Sequence, residues 1–200
     1  MTFLESLPSP GPARERAVSD AIAAGRLDAP TWVPVRCGPV DLMVSADYLT
    51  IDDARIPMSA PNAQRAAEAL GGVLPTSRAV RAIEDAARAT GRLVALPTRA
   101  PDGAAQMSRA WVLWCEEATG AALAADGATP GMLVAGHRKD VVLARHMPAG
   151  QVVIFGAVWP DGKRLQPLYP VAGGKPGHEA AYHDYSHGVR VVRDECTVDG

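Results

Sequence analysis

Two hundred residues supply one hydrophobic core and little material for a second, and an apolar share of 48% with 21% charge excludes wholesale disorder. A net charge of −2 excludes the broad basic field of a nucleic-acid binder, and no run approaches the roughly 20 apolar residues of a membrane-spanning helix. Neither nucleic acid nor membrane is therefore an expected partner.

Aromatics are scarce at 5%, so the core must come from Ala, Val, Leu and Ile. Arginine outnumbers lysine, which occurs only at Lys139, Lys163 and Lys175, a bias suggesting a high-GC bacterial gene. Cys37, Cys115 and Cys196 match no zinc or disulfide spacing and read as reduced thiols of a cytoplasmic protein. Met1 to Glu5 shows no basic start of a signal peptide.

In chain order, the Pro/Gly-rich residues 1–12 are expected to form a flexible arm, and 13–200 a single domain. Ala13 to Ala24 reads as a helix stopped by Gly25. Trp32 to Cys37 and Val40 to Val44 read as strands, the first an edge because of Pro34. Ser59, Pro61 and Gly71-Gly72 punctuate a second helix; Thr76 or Ser77 caps a third, with Val80, Ile83 and Ala87 at helical spacing and Gly91 as its end. Leu93 to Leu96 is a candidate strand. A helix follows from about Gln106 to Ala125, its apolar stripe being Met107, Trp111, Trp114, Cys115 and Ala118. Met132 to Val134, Val141 to Leu143 and Val152 to Phe155 are strand-like. Pro160 to Lys163 makes a hairpin turn between Val158-Trp159 and Leu165 to Tyr169. Val171 to Gly177 is a Gly/Pro loop, and Val189 to Val192 a terminal strand. With helices central and no βαβ alternation, the expected fold is α+β, with a mixed or antiparallel sheet built mainly from the C-terminal half.

Polar chemistry concentrates between His178 and Arg190, where three of the five histidines lie beside Tyr182, Tyr185, Asp184 and Ser186. Such a cluster exchanges protons near neutral pH. If the segment is extended, Asp184, Ser186 and Arg190 share one face, while Tyr185 and His187 share the other. Ser186 and His187 then point apart, so Ser186 is an orienting group and not a nucleophile. If the segment is helical, Glu179, His183 and His187 align four apart, a zinc-like spacing without the metalloprotease glutamate. Gly188 and the Val189-Arg190-Val191-Val192 run favour the extended form, so no metal is expected. His137 and His146 are the only other histidines. Lys139 and Asp140, from the knot Gly136 to Asp140, and Gln166 are candidates to line the substrate. Cys115 belongs to the core stripe, and Cys37 has no histidine near it in sequence. No nucleotide motif occurs, and the glycines around Lys175 open no helix.

Ser186-His187-Gly188-Val189-Arg190 resembles the Ser-His-Gly-Cys-Ile/Val-Arg motif of L,D-transpeptidases. The chain has no cysteine after Gly188 and is one residue shorter there, so the resemblance does not imply transpeptidation by that mechanism. The C-terminal third also resembles bacterial proteins of uncharacterised function, often exported, with a Tyr-x-Asp-Tyr-Ser-His-Gly-x-Arg ending. The matching positions are Lys139-Asp140, Gln166 to Leu168, Tyr182, Asp184 to Gly188 and Arg190; a looser match is Asp47 to Leu49 with Leu74 to Thr76. This resemblance implies a location for the site and brings no reaction.

The expected function is a cofactor-independent hydrolase or acyl-transfer enzyme on an amide- or ester-containing small molecule or peptide. His187 or His178 would be the base and Asp184 or Asp140 its orienting acid. Arg190 and Lys139 would stabilise charge, with Tyr182, Tyr185 and Gln166 contacting substrate. His178, Asp184, His187 and Arg190 should then converge on one pocket. The alternatives are a metal-dependent hydrolase and a non-catalytic ligand-binding module. Nothing in the sequence sets the oligomeric state.

Overall fold

A computed structural model describes residues 1–98, 103–145, 149–170 and 177–198, with the side chains of 103, 104 and 194–198 left aside. His146, residues 171–176 of the Gly/Pro loop, Lys175 and the Cys196 side chain lie outside the described set. The fold is α+β, with two four-stranded sheets, a small hairpin and five α-helices among the described residues.

The chain opens on a short helix, α1 (Phe3–Ser6), started by a reciprocal N-terminal cap between Thr2 and Glu5. Phe3, Leu4 and Leu7 are buried in the main core. The expected flexible arm is therefore corrected: three large apolar side chains anchor it. Helix α2 (Pro12–Ala23) follows, opened by proline.

β1 (Trp32–Cys37) and β2 (Val40–Ser45) pair antiparallel with Trp32 opposite Ser45. Pro34 is tolerated because β1 is an edge of the order β1-β2-β10-β5. The inner strand β10 (Val192–Val198) returns from the chain's end to pair with β2 and with β5 (Gly72–Val73). β3 (Thr50–Ile51) and β4 (Ala54–Arg55) form the small hairpin.

Helices α3 (Ala60–Ala69) and α4 (Ser77–Ala89) fall where the punctuation puts them. Thr76 caps α4, its hydroxyl accepting the Ala79 amide at 3.2 Å. Ser59 occupies the cap position of α3, but its hydroxyl donates to Glu15 instead. A 3₁₀ turn (Gly103–Met107) precedes α5 (Arg109–Ala125), which buries Trp111, Val112, Cys115, Thr119 and Leu123.

The second sheet has the order β8-β7-β6-β9 and comes wholly from the C-terminal half. β6 (Lys139–Val141), β7 (Ile154–Val158) and β8 (Arg164–Tyr169) are antiparallel, whereas the two-residue β9 (His187–Gly188) lies parallel to β6. Two expected strands do not form, and the terminal strand expected over Val189 to Val192 starts only at Val192, as β10. Leu93 makes only an isolated bridge to Ala135, and Met132 to Val134 stays outside the sheets. Helix α4 packs against both β1 and β7, so it ties the two sheets together.

Candidate functional site

The polar cluster is built on a turn, neither a helix nor a straight strand. Asp184 Oδ1 accepts the Ser186 amide at 2.8 Å and also the Ser186 hydroxyl. A short carboxylate makes this bond to the backbone two residues on. The His187 amide closes the turn on the Asp184 carbonyl at 3.2 Å. β9 then sets His187 opposite Lys139 and Gly188 opposite Asp140. Because successive residues of a strand face opposite sides, Lys139 and Asp140 part, and the expected single site divides in two.

On the Lys139 side, the ammonium donates to Asp184 Oδ2 at 3.4 Å, and the Tyr182 hydroxyl donates to the same oxygen at 3.4 Å. Burial works against charge on Asp184, yet His187, Lys139 and Ser186 hold its carboxyl below the usual range. His187 is 1% exposed; the Met58 backbone lies against its ring, and neither ring nitrogen makes a hydrogen bond of good geometry among the described residues. Burial pulls its pKa down to about 4, against the pull of Asp184 and with help from Lys139 and His178. The ring is thus neutral at pH 7. Aromatic contacts connect it to the surface. Tyr182 meets His187 edge-on with centroids 5.7 Å apart. His178 stacks on Tyr182 at 3.8 Å, and Tyr169 meets His178 at 6.1 Å. His178 is exposed, and Tyr182 and Lys139 are half-buried, so the cluster opens on this side.

Asp140 belongs to the other side. Its Oδ2 accepts the Tyr48 hydroxyl at 3.0 Å, and Oδ1 lies 3.7 Å from Arg190 Nε. Burial raises its pKa to about 7, with Arg190 opposing and nearby Glu84 reinforcing. The two carboxyl groups meet over Gly156, where an added Cβ would stand 3.2 Å from both Asp140 Oδ2 and Glu84 Oε1. Arg190 is fully buried and donates to the Ser45 carbonyl at 2.6 Å and the Val134 carbonyl at 2.8 Å, with Tyr48 stacked on it at 4.4 Å. It ties backbone segments together. Its expected convergence with His187, and with it the charge-stabilising role, is corrected.

Three further expectations change. Tyr185 packs against Trp111 and Trp114 at 5.2 and 6.5 Å, making it a core residue that does not share the His187 face. Gln166 stands in β8, opposite Gly156, and donates to the Pro167 carbonyl at 3.0 Å, two strands away from β6. The helical alignment of Glu179, His183 and His187 does not occur: Glu179 is exposed and bridges Gln151, while His183 is buried.

Sequence reading missed a third polar network. His137 Nε2 lies 3.1 Å from Asp47 Oδ1; Asp47 also accepts the Tyr48 amide and Arg55. Arg55 and Arg138 both donate to Glu116, and Arg138 reaches Cys115 Sγ at 2.6 Å. A cavity of about 580 Å³ touches Asp47 and Arg55. Both of these charges are already engaged by protein partners, so neither is free to act on a ligand there. Two sequence signals pointed to these networks: the Asp47 to Leu49 match, and a charge on an apolar stripe. Glu84 falls on the α4 stripe with Val80, Ile83 and Ala87, and a charge on a buried stripe needs a partner.

Comparison with protein-family models, curated proteins and solved structures returns no match. The site is therefore read from its geometry.

Proposed function

We propose that the chain is a hydrolase or acyl-transfer enzyme acting on an ester- or amide-containing substrate, with His187 as general base. The observation that carries this reading is a neutral, buried imidazole beside a Lys–Asp pair, packed edge-on against Tyr182, on which the exposed His178 stacks. A base must hold a lone pair at working pH, and a pKa of about 4 leaves His187 unprotonated there.

In this reading His187 takes the proton of a water or acceptor hydroxyl as that oxygen attacks the carbonyl carbon. It returns that proton to the leaving alcohol or amine as the original C–O or C–N bond breaks. The Lys139 ammonium offsets the negative charge that develops on the carbonyl oxygen. Asp184 fixes Lys139 and the turn, and Ser186 serves the turn, since its hydroxyl is engaged by Asp184. His178 and Tyr182 form the mouth. Two residues beyond Lys139 on β6, Val141 borders an apolar cavity of about 320 Å³ shared with Ala60, Leu74 and Ala180. This cavity suits an apolar acyl portion.

The test is hydrolysis of p-nitrophenyl esters from acetate to octanoate, with the corresponding p-nitroanilides. Wild type should turn over at least one of them, and His187→Ala should lose about 10²-fold or more in kcat. Full activity in a folded His187→Ala variant would remove the base role.

A further inference from the structure

A base that acts on a substrate must be reached, and His187 is 1% exposed. Among the described residues, Asp184, Met58, Lys139 and Tyr182 stand around its ring. The first three are fixed. Asp184 is tied into its turn, with Oδ1 accepting the Ser186 amide at 2.8 Å. Met58 is fully buried, and its backbone lies against the imidazole. Lys139 is set opposite His187 by the pairing of β6 with β9, and its side chain, 15% exposed, is paired with Asp184.

Tyr182 is different. Its half-buried ring touches an exposed group and a buried one: His178 stacks on it at 3.8 Å with ring planes 17° apart, and it meets His187 edge-on at 5.7 Å. The tyrosine ring is thus the layer between exposed His178 and buried His187. It is lightly held. Burial and Asp184 push the Tyr182 pKa up to about 12, so the hydroxyl is a donor at neutral pH. Its acceptor, Asp184 Oδ2, is 3.4 Å away, at the long end of hydrogen-bonding distance. Releasing that bond leaves no buried charge unpaired, because Oδ2 keeps Lys139.

The backbone beneath the ring is well anchored. The Ala180 amide donates to the Gly150 carbonyl at 2.8 Å, and the Ala180 carbonyl accepts the Ala60 amide at 3.0 Å. The Val152 amide donates to the His178 carbonyl at 3.1 Å, and the Tyr182 amide to the Glu179 carbonyl at 2.9 Å. A lightly held side chain on a fixed backbone moves by turning about its own bonds.

We propose that Tyr182 is a gating residue for His187: its ring closes the face of the imidazole, its bond to Asp184 latches it, and rotation of the side chain admits substrate. The backbone from His178 to Tyr182 keeps its bonds while the ring turns. This deepens the general-base reading and rests on it for the catalytic consequence, though the cover over His187 does not.

Carbethoxylation by diethyl pyrocarbonate at pH 7, followed for each histidine by peptide mass at limiting reagent, tests the gate without a substrate. The reagent needs an accessible, unprotonated imidazole. In wild type, His187 should react at least about 10-fold more slowly than exposed His178, as an open state populated to about 10% or less requires. Tyr182→Phe keeps the ring and removes the latch, and should raise the His187 rate about 3- to 10-fold, the scale of one hydrogen bond. Tyr182→Ala should bring it close to the His178 rate. His137 and His183 are 0% and 2% exposed and should stay unmodified in every variant, which separates a local opening from a loosened fold. An unchanged His187 rate in Tyr182→Ala would overturn the gate, and an unchanged rate in Tyr182→Phe would overturn the latch. On an ester that wild type turns over, Tyr182→Phe should raise kcat/KM by a similar factor, since apparent affinity follows the open fraction. If no ester or anilide is turned over, the general-base reading fails alone, and the modification rates still decide the gate.

Discussion

At the scale of single residues, the buried titratable groups make opposite demands. Asp140 is driven toward its neutral form, whereas Asp184 is held as a carboxylate by the lysine and the turn that surround it. The consequence for stability has a definite sign. Folded Asp140 keeps its proton up to about pH 7, whereas the unfolded chain loses it near the ordinary carboxylate value. Its stabilising contribution is therefore complete below about pH 4 and is lost as pH rises through about 7. The integrated effect is at most about 4 kcal/mol. Asp140→Asn retains an acceptor for Tyr48 without the titration. Urea denaturation at pH 5 and pH 8 should show wild type losing stability relative to Asp140→Asn at the higher pH. A constant difference between the two proteins would show that Asp140 does not titrate in this range.

Among the elements, the parallel pairing of β9 with β6 makes the site, and glycine makes the pairing possible. A Cβ on Gly188 would stand 2.5 Å from Tyr48 Cδ1 and 2.7 Å from Arg138 Cβ, closer than packed atoms allow. Neither neighbour can yield: the Tyr48 ring is bonded to Asp140, and Arg138 is fully buried. Gly188→Ala should cost about 1–3 kcal/mol or more through overpacking, and should loosen the His187–Lys139 register. Thermal denaturation supplies the check, and an unchanged midpoint would show that the segment moves aside freely. By contrast, Thr76→Ala should cost about 1 kcal/mol as the loss of a helix cap, without effect on the site.

The elements also show what sequence could reveal. Helix ends at Ser59, Thr76, Gly71 and Gly91, the Pro160 to Lys163 turn and the edge character of β1 are written in residues that act locally, and they are legible for that reason. The His178 to Arg190 segment stands out in the sequence as a polar cluster because histidines and tyrosines are rare fillers of loops. Its division into two faces does not, because the division depends on which residue of β9 meets which residue of β6, 48 positions away (187 against 139). Glu15, the partner of Ser59, was invisible for the same reason, since it lies on a distant segment, and the signals at Tyr48 and Glu84 named no partner. Arg190 misleads because its neighbours in sequence are reactive, while its own hydrogen bonds go to the Ser45 and Val134 carbonyls.

Over the whole molecule, the two ends of the chain complete structures begun far away. β10 enters the first sheet between β2 and β5, and α1 inserts Phe3, Leu4 and Leu7 into the main core. Removing residues 1–7 exposes the surface those three side chains cover, worth about 1.5–3 kcal/mol for each. Against typical total stabilities of about 5–15 kcal/mol, the truncated chain should lose cooperative unfolding or show a much lower midpoint. A truncated protein that unfolds as wild type does would return these residues to the status of an arm.

The most direct test of His187 as the base is the pH dependence of kcat/KM on an ester that wild type hydrolyses. The acid limb of that profile reports the free enzyme's essential base. With His187 in that role, activity should rise with pH through about 4 and stay level from there past neutrality. An acid limb near the ordinary histidine value of about 6.5 would mean that the buried ring is not what turns the substrate over.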